Sequence, residues 1–294
     1  MVQYEIPRSS SRMSGTLFVV ATPIGNLDDI TARALRVLRE VTVIAAEDTR
    51  RTAHLLARYA IPTSTTSFHE HNETKKSASL VARLARGDDI ALVSDAGTPT
   101  ISDPGQRLVR AALDAGCRVE SIPGPSAVMA ALAVSGFPSA TFTFLGFPPT
   151  RSNARTRWFE NLRAAGRTVV FFEAPHRIKG TLGELRSFMG DRPIAVCREL
   201  TKSHEKLVIG PISRVLTALV EPKGEFTIVV DVGPETPTAQ IGAASDAEML
   251  HEFGEMTARA QLPRRRALNA LARKHRRPPN EVYAAIERAK KLVE

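Results

Sequence analysis

Leu92-Val93-Ser94-Asp95-Ala96-Gly97-Thr98-Pro99-Thr100-Ile101-Ser102-Asp103-Pro104-Gly105 is the stretch whose reading decides the fold. It leaves a short apolar run that begins at Ile90. Between Ser94 and Gly105 it holds two Gly, two Pro, two Asp and four hydroxyl residues. Pro fixes φ and Gly admits conformations other residues avoid, so such a loop presents backbone N–H and C=O groups rigidly instead of burying apolar area. Two readings stand. One is a plain strand-to-helix connection with helix-start chemistry before Gln106. The other is a loop that grips a small ligand at the carboxyl end of a parallel strand, where open α/β sheets place their ligands.

Working outward, residues 17–21 and 119–122 are further apolar runs. They end in Thr22-Pro23-Ile24-Gly25-Asn26 and Pro123-Gly124-Pro125-Ser126. Helical periodicity follows Thr31, an N-cap residue type, and recurs at 77–86 and 105–115. Strands alternating with helices at this spacing predict a mostly parallel sheet. In such a sheet the three Gly/Pro turns open on one edge and form a backbone-lined cradle for one small molecule. None of them matches G-x-G-x-x-G or a P-loop, which disfavours nucleotide phosphate binding.

A second α/β set follows residue 138. Its strands are expected at 141–145, 168–172, 194–197, 206–209 and 225–232, and its helices near 154–162, 178–188 and 212–219. A Gly/Pro/Thr/Ala-rich stretch then leads to three short helical patterns at 247–260, 264–275 and 280–293. The expected organisation is a disordered leader at 1–14, an N-terminal α/β domain at 15–132 and a second α/β domain at 133–233. A linker at 234–245 and a basic helical module at 246–294 complete it.

At 294 residues, 43% hydrophobic and 24% charged, the chain has the composition of an ordinary soluble globular protein of about two domains. The apolar segment 127–134 is far too short to span a bilayer, so no membrane role is expected. The first fifteen residues lack the apolar stretch of a signal peptide, and Met13 is an alternative start. Cys117 and Cys197 offer neither metal spacing nor a disulfide framework, which suits a reducing cytoplasm. The net charge of +9 is concentrated. Residues 259–294 hold eleven Lys/Arg against three Glu, a net +8, and the other 258 residues carry +1. Such a tail fits a polyanion, most often nucleic acid, or else a solvated helical face.

Charged groups follow two buried-type strands: Glu47-Asp48-Thr49-Arg50, and Arg198-Glu199-Leu200-Thr201-Lys202. Asp48 reads equally as a helix cap and as a catalytic group. Lys202 with Glu199 and Glu205 reads as the lining of a cleft. Phe171-Phe172-Glu173 ends another strand, with aromatics suited to a core or to stacking on a purine. His69 and His71 flank Glu70 at a spacing that suits a surface segment better than a metal site, and no metal is expected.

With these residues laid out, the chain resembles the 16S ribosomal RNA cytidine 2′-O-ribose methylases. These are the ribosomal branch of the tetrapyrrole methylase superfamily, the class III S-adenosylmethionine-dependent fold. The resemblance rests on seven ordered motifs between residues 21 and 225. They are ATPIGNL, EDTR, SDAGTP with DPG, PGPSA, EAPHR, ELTK and KGE. It implies two α/β domains with S-adenosylmethionine in the cleft between them, a homodimer, and 16S ribosomal RNA or the small subunit as substrate. Carried over by motif, Pro23, Gly25, Asp95, Ala96, Gly97, Thr98, Ile101, Ser126 and Ala127 would hold the cofactor, with Glu173 and Leu200 closing over it. Glu47 or Asp48 would accept a proton and Lys202 would orient the target. Arg50 would also meet RNA, as would Arg264, Arg265, Arg266, Arg273, Lys274, Arg276 and Arg277 in the tail. The tetrapyrrole branch carries Gly-Pro-Gly-Asp and Gly-Gly-Asp-Pro turns, whereas this chain has Thr-Pro-Ile-Gly-Asn and Asp-Ala-Gly-Thr-Pro. That departure argues against a tetrapyrrole substrate.

Overall fold

A computed structural model describes residues 14–219, 223–233, 246–259, 262–274 and 279–291. The expected leader up to residue 13, the expected linker, and Arg276 and Arg277 lie outside them. Arg273 and Lys274 have described backbone only. The chain divides after Pro234 into two units.

The first half of the larger unit runs β1 (Thr16–Val20), α1 (Ala32–Glu40), β2 (Val43–Ala46), α2 (Thr49–Arg58), β3 (Thr65–Ser67) and α3 (Glu73–Ala85). It continues with β4 (Ile90–Val93), α4 (Gln106–Asp114), β5 (Arg118–Ile122) and α5 (Ala127–Ser135). The five strands form one sheet in the order β3-β2-β4-β1-β5, and every pairing is parallel. Side-chain alternation sends Val20, Ile44, Ala46, Ala91 and Val93 to the face covered by α1 and α2. It sends Leu17, Val43, Ala45, Ile90 and Leu92 to the face covered by α3 and α4. Coverage on both faces is why the central strands read as unbroken apolar runs. β3 was not anticipated. It is a polar three-residue edge strand, and an edge has no second neighbour to demand apolar side chains.

Local chemistry fixes the helix starts. Thr31 accepts the Ala34 N–H with its hydroxyl, as its residue type suggested, and Asp48 caps α2. α4 cannot be capped by its own Gly105, at φ 130. The buried Glu73 carboxylate of α3 instead accepts from the N–H groups of Gly105 (3.0 Å) and Arg107 (3.2 Å). That brace ties the far end of the 94–105 loop to α3.

The second half continues with β6 (Phe142–Phe144), α6 (Ser152–Ala164), β7 (Thr168–Glu173), α7 (Ile178–Met189) and β8 (Pro193–Arg198). β9 (Lys206–Pro211), α8 (Ile212–Ala218) and β10 (Phe226–Val230) follow. Its sheet, β6-β7-β10-β8-β9, is parallel only between β6 and β7. One face packs on α6, α7 and α8 through Trp158, Leu162, Leu182 and Val215. The other receives α5, whose Val128, Ala131 and Leu132 lie against Val170, Ala195 and Val229. The helix that leaves the first sheet thus fills the core of the second. Val128 and Leu132 each contribute about 1.5–3 kcal/mol of burial there.

The smaller unit holds α9 (Asp246–Gly254), a π-helical turn (Glu255–Arg259), α10 (Arg264–Lys274) and α11 (Pro279–Lys291). Met249, Phe253, Leu271, Val282 and Ile286 form its core, and Arg288 pairs with Asp246. Arg264, Arg265 and Arg266 are exposed in the first turn of α10. Among the described residues no helix is long and apolar enough to cross a membrane.

Candidate functional site

Because β1, β2, β4 and β5 are parallel, their following turns meet at one edge of the sheet. Thr22 and Gly97 exchange both backbone hydrogen bonds, at 2.9 and 3.0 Å, which joins the first turn to the 94–105 loop. The Thr22 hydroxyl donates to the Ser94 carbonyl. Gly124 sits so close to Ala21 that a Cβ there would lie 3.1 Å from the Ala21 Cβ, which seats the third turn against the first. The ends of β2 and β4 interlock as well. The Asp48 N–H donates to Asp95 Oδ1 (2.9 Å), and the Asp95 N–H donates to Glu47 Oε2 (3.2 Å).

Above this edge lies a cavity of ≈ 360 Å³, within the ~300–1,000 Å³ usual for small-molecule sites. Glu47, Asp95, Ala96, Gly97, Thr98, Ile101, Ser126 and Ala127 line its floor, and Glu173 and Leu200 line the opposite wall. Pro23, Gly25, Asp48 and Lys202 stand outside the lining, as does Arg50, whose side chain is 88% exposed. The sequence reading did not single out Arg51, Phe147 or Thr227 and took Asp103 for a brace of its loop; all four line the cavity. Phe147 and Phe172 form a ring pair 5.4 Å apart in the wall. Glu225, quoted only within a motif, joins Thr227 at the start of β10. That strand's central place in the sheet is a pairing that no local pattern reveals.

Two loops facing the cavity hold non-glycine residues in the left-handed region: Thr100 (φ 76) with Ser102 (φ 66), and Glu199 (φ 52) with Thr201 (φ 66). Backbone of this kind costs roughly 1–3 kcal/mol per residue and persists where neighbours over-determine it. Around Glu199 they do. Its N–H donates to the Glu225 carbonyl, and its carboxylate accepts from the Glu225 N–H and the Lys202 ammonium. Lys202 Nζ lies 3.0 Å from both Glu199 and Glu225. Across the cleft the Asn26 N–H donates to Thr201 Oγ1 at 3.1 Å, and Gly25 lies beneath the Lys202 stem. The first turn is therefore the seat on which the 199–202 loop closes the cavity.

The carboxylates differ in electrostatics. Asp48 is held down to about 2 by the Arg50 side chain and backbone N–H. Glu47 is raised, first by burial and then by Asp95. Asp103 is pushed up to about 7 by burial, with the charge of Glu47 adding to it. Burial also lifts the Cys197 thiol to about 11, so it stays protonated and unreactive. Among the described residues no group of three or more His, Cys, Asp or Glu is arranged to hold a metal ion.

Comparison with known proteins fits this arrangement. Residues 16–216 match the family model of the tetrapyrrole (corrin/porphyrin) methylases. The ribosomal RNA small subunit methyltransferase I of Xylella fastidiosa is 48% identical over 232 residues, covering 77% of this chain and 85% of that one. The protein of the same name from Synechocystis sp. is 42% identical over 272 residues, covering 92% and 96%. Among solved structures, the uroporphyrin-III C-methyl transferase of Thermus thermophilus, complexed with S-adenyl homocysteine, shares the fold. Its TM-score is 0.54 at 20% identity, over 74% of this chain and 98% of that one. The chain belongs to the tetrapyrrole (corrin/porphyrin) methylase family and, within it, to the proteins named ribosomal RNA small subunit methyltransferase I.

Proposed function

We propose that this protein transfers the methyl group of S-adenosylmethionine to the 2′-hydroxyl of a cytidine ribose in the 16S ribosomal RNA of the small subunit. The observation that carries the reading is the cavity itself, walled by both sheets and lined by the motifs this chain shares with the ribosomal branch of the family. The lining suits the donor chemically. The N-terminus of α5 opens on the cavity at Ser126 and Ala127 and favours a carboxylate. Glu47 and Asp103 favour positive charge, and the Phe147–Phe172 pair suits a purine face. Ala96, Gly97 and Thr98 approach with their main chain, Ile101 and Leu200 cover the apolar middle, and Gly25 lies against the backbone of Leu200 from behind.

When bound, the donor supplies an electrophilic methyl on a sulfonium. The chain's own task is to align a sugar hydroxyl with it, exclude water and remove a proton. Arg50 and the tail arginines supply phosphate contacts, which carry affinity more than sequence information. A homodimer working in the cytoplasm belongs to the same reading.

Incubation with tritiated S-adenosylmethionine and purified small subunits or their RNA is the test. Label is expected in 2′-O-methylcytidine after nuclease digestion, and label in a porphyrinoid instead would overturn the reading. Exchanging Arg264, Arg265 and Arg266 together for Ala is expected to lower the slope of log affinity for RNA against log salt by about 2–3. Cofactor affinity stays unchanged. An unaltered slope removes these three residues from the RNA contact.

A further inference from the structure

Five carboxylates line the cavity, and their commitments differ. Asp95 accepts the Asp48 N–H and pairs with Arg51 at 3.4 Å. Glu173 accepts from the Ala174 N–H and the Thr181 hydroxyl and pairs with Arg177. Glu225 holds the Lys202 ammonium. Glu47 gives one oxygen to the Asp95 N–H. Asp103 has the Ser94 hydroxyl and, among the described residues, no ion pair. Asp48, the other acid of the EDTR motif, stands outside the lining, where it caps α2 and pairs with Arg50.

From this distribution we infer that Asp103, which lines the cavity without an ion pair among the described residues, is the catalytic proton acceptor for the substrate hydroxyl. The inference rests on the methyl-transfer reading above. In the step, the hydroxyl O–H bond breaks and its proton passes to an Asp103 carboxylate oxygen. The deprotonated substrate oxygen forms the O–CH₃ bond as the S–CH₃ bond breaks, and the electron pair of the S–CH₃ bond returns to sulfur.

The surroundings of Asp103 suit the task. Burial and the charge of Glu47 raise it to about 7, Asp95 adds to the rise, and the Ser94 hydroxyl opposes it. Arg51 faces Glu47 and Asp95, and Glu173 and Glu225 line the wall across the cavity. A general base works best when its pKa lies near the working pH, whereas a carboxylate held at about 2, as Asp48 is, accepts protons poorly.

Asp103→Asn tests this in two ways. In the wild type, single-turnover methyl transfer rises with pH up to about 7 and then levels. In the variant that rise is absent and the rate at pH 8 falls by about 100-fold or more, with cofactor affinity by calorimetry held within about threefold. The second readout needs no cofactor. Because the folded-state pKa of Asp103 lies above its unfolded value, its stabilising contribution is complete at acid pH. That contribution is lost as pH rises from about 4 through about 7. Asn mimics the neutral acid, so the variant's thermal midpoint gains on the wild type across that window and stays level above it. Near wild-type turnover with the pH limb intact overturns the inference, as does loss of the limb in Glu47→Gln with Asp103→Asn unaffected. Wild-type protein that labels no RNA sinks the functional reading instead, while the cofactor-free melting curves still report the ionisation of Asp103.

Discussion

Gly25→Val is expected to weaken S-adenosylmethionine binding by about 30-fold, or ~2 kcal/mol, while leaving the fold intact. A Cβ at residue 25 would lie 2.4 Å from Lys202 Cγ and 3.0 Å from the Leu200 carbonyl oxygen. The first contact is with a side chain whose ammonium is fixed between Glu199 and Glu225, and the second is with backbone, so neither yields cheaply. The loop is clamped elsewhere too. Gly224, at φ 85, lies so near Glu199 that a Cβ there would fall 2.4 Å from the Glu199 carboxylate. The 199–202 segment must therefore lift off the first turn, which breaks the Asn26–Thr201 hydrogen bond and withdraws Leu200 from the wall. Neither sheet core includes Gly25, so the thermal midpoint changes by only a few degrees. Calorimetric affinity within about threefold of wild type sinks this account. Gly25→Ala in a Lys202→Ala background separates the two clashes, because it removes Cγ and keeps the Leu200 carbonyl.

The location of the site was legible because its chemistry is local. Gly97 and Gly105 sit at positive φ where a turn requires it, and Thr22-Pro23-Ile24-Gly25 follows a strand on the same sheet edge. A parallel sheet converts that regularity into a shared mouth without long-range information. The opposite wall was less legible. Glu225, Phe226 and Thr227 reach the cavity because β10 inserts between β7 and β8, a pairing set by tertiary packing. β3 escaped notice because Thr65-Thr66-Ser67 has no apolar member. Glu73 is a buried brace for α4, and only the fold brings Gly105 to it. Asp103 shows the limit most clearly. The sequence reading took it for a loop brace, and its raised basicity comes first from burial in the folded site, with the charge of Glu47 from another strand adding to it.

Glu173→Ala is expected to be the most destabilising of these changes, by about 3–5 kcal/mol, because it breaks a buried ion pair from one side. Glu173 ends β7 with its side chain fully enclosed. It accepts from the Ala174 N–H at 2.8 Å, takes the Thr181 hydroxyl hydrogen bond and pairs with Arg177 at 3.2 Å. Thr181 in turn accepts from Arg155, which also pairs with Glu184 on α7. Removing the carboxylate leaves the Arg177 charge, the Ala174 amide just after β7 and the fully buried Thr181 hydroxyl without that acceptor. At roughly 2–4 °C per kcal/mol for a unit of this size, the thermal midpoint falls by about 10 °C. Glu173→Gln keeps the shape, but its one carbonyl oxygen replaces only one of the two carboxylate oxygens that accept from Ala174 and Thr181. It therefore loses one hydrogen bond as well as the charge opposite Arg177, and falls by less than Glu173→Ala. This separates two roles for a cavity-lining acid. If Glu173 chiefly holds the wall, both variants melt earlier in that order, and cofactor affinity measured well below the midpoint changes by less than about fivefold. If its carboxylate instead grips the ligand, Glu173→Gln costs affinity with an unshifted midpoint, and a midpoint within 2 °C of wild type for Glu173→Ala rejects the brace, an outcome its three partners oppose.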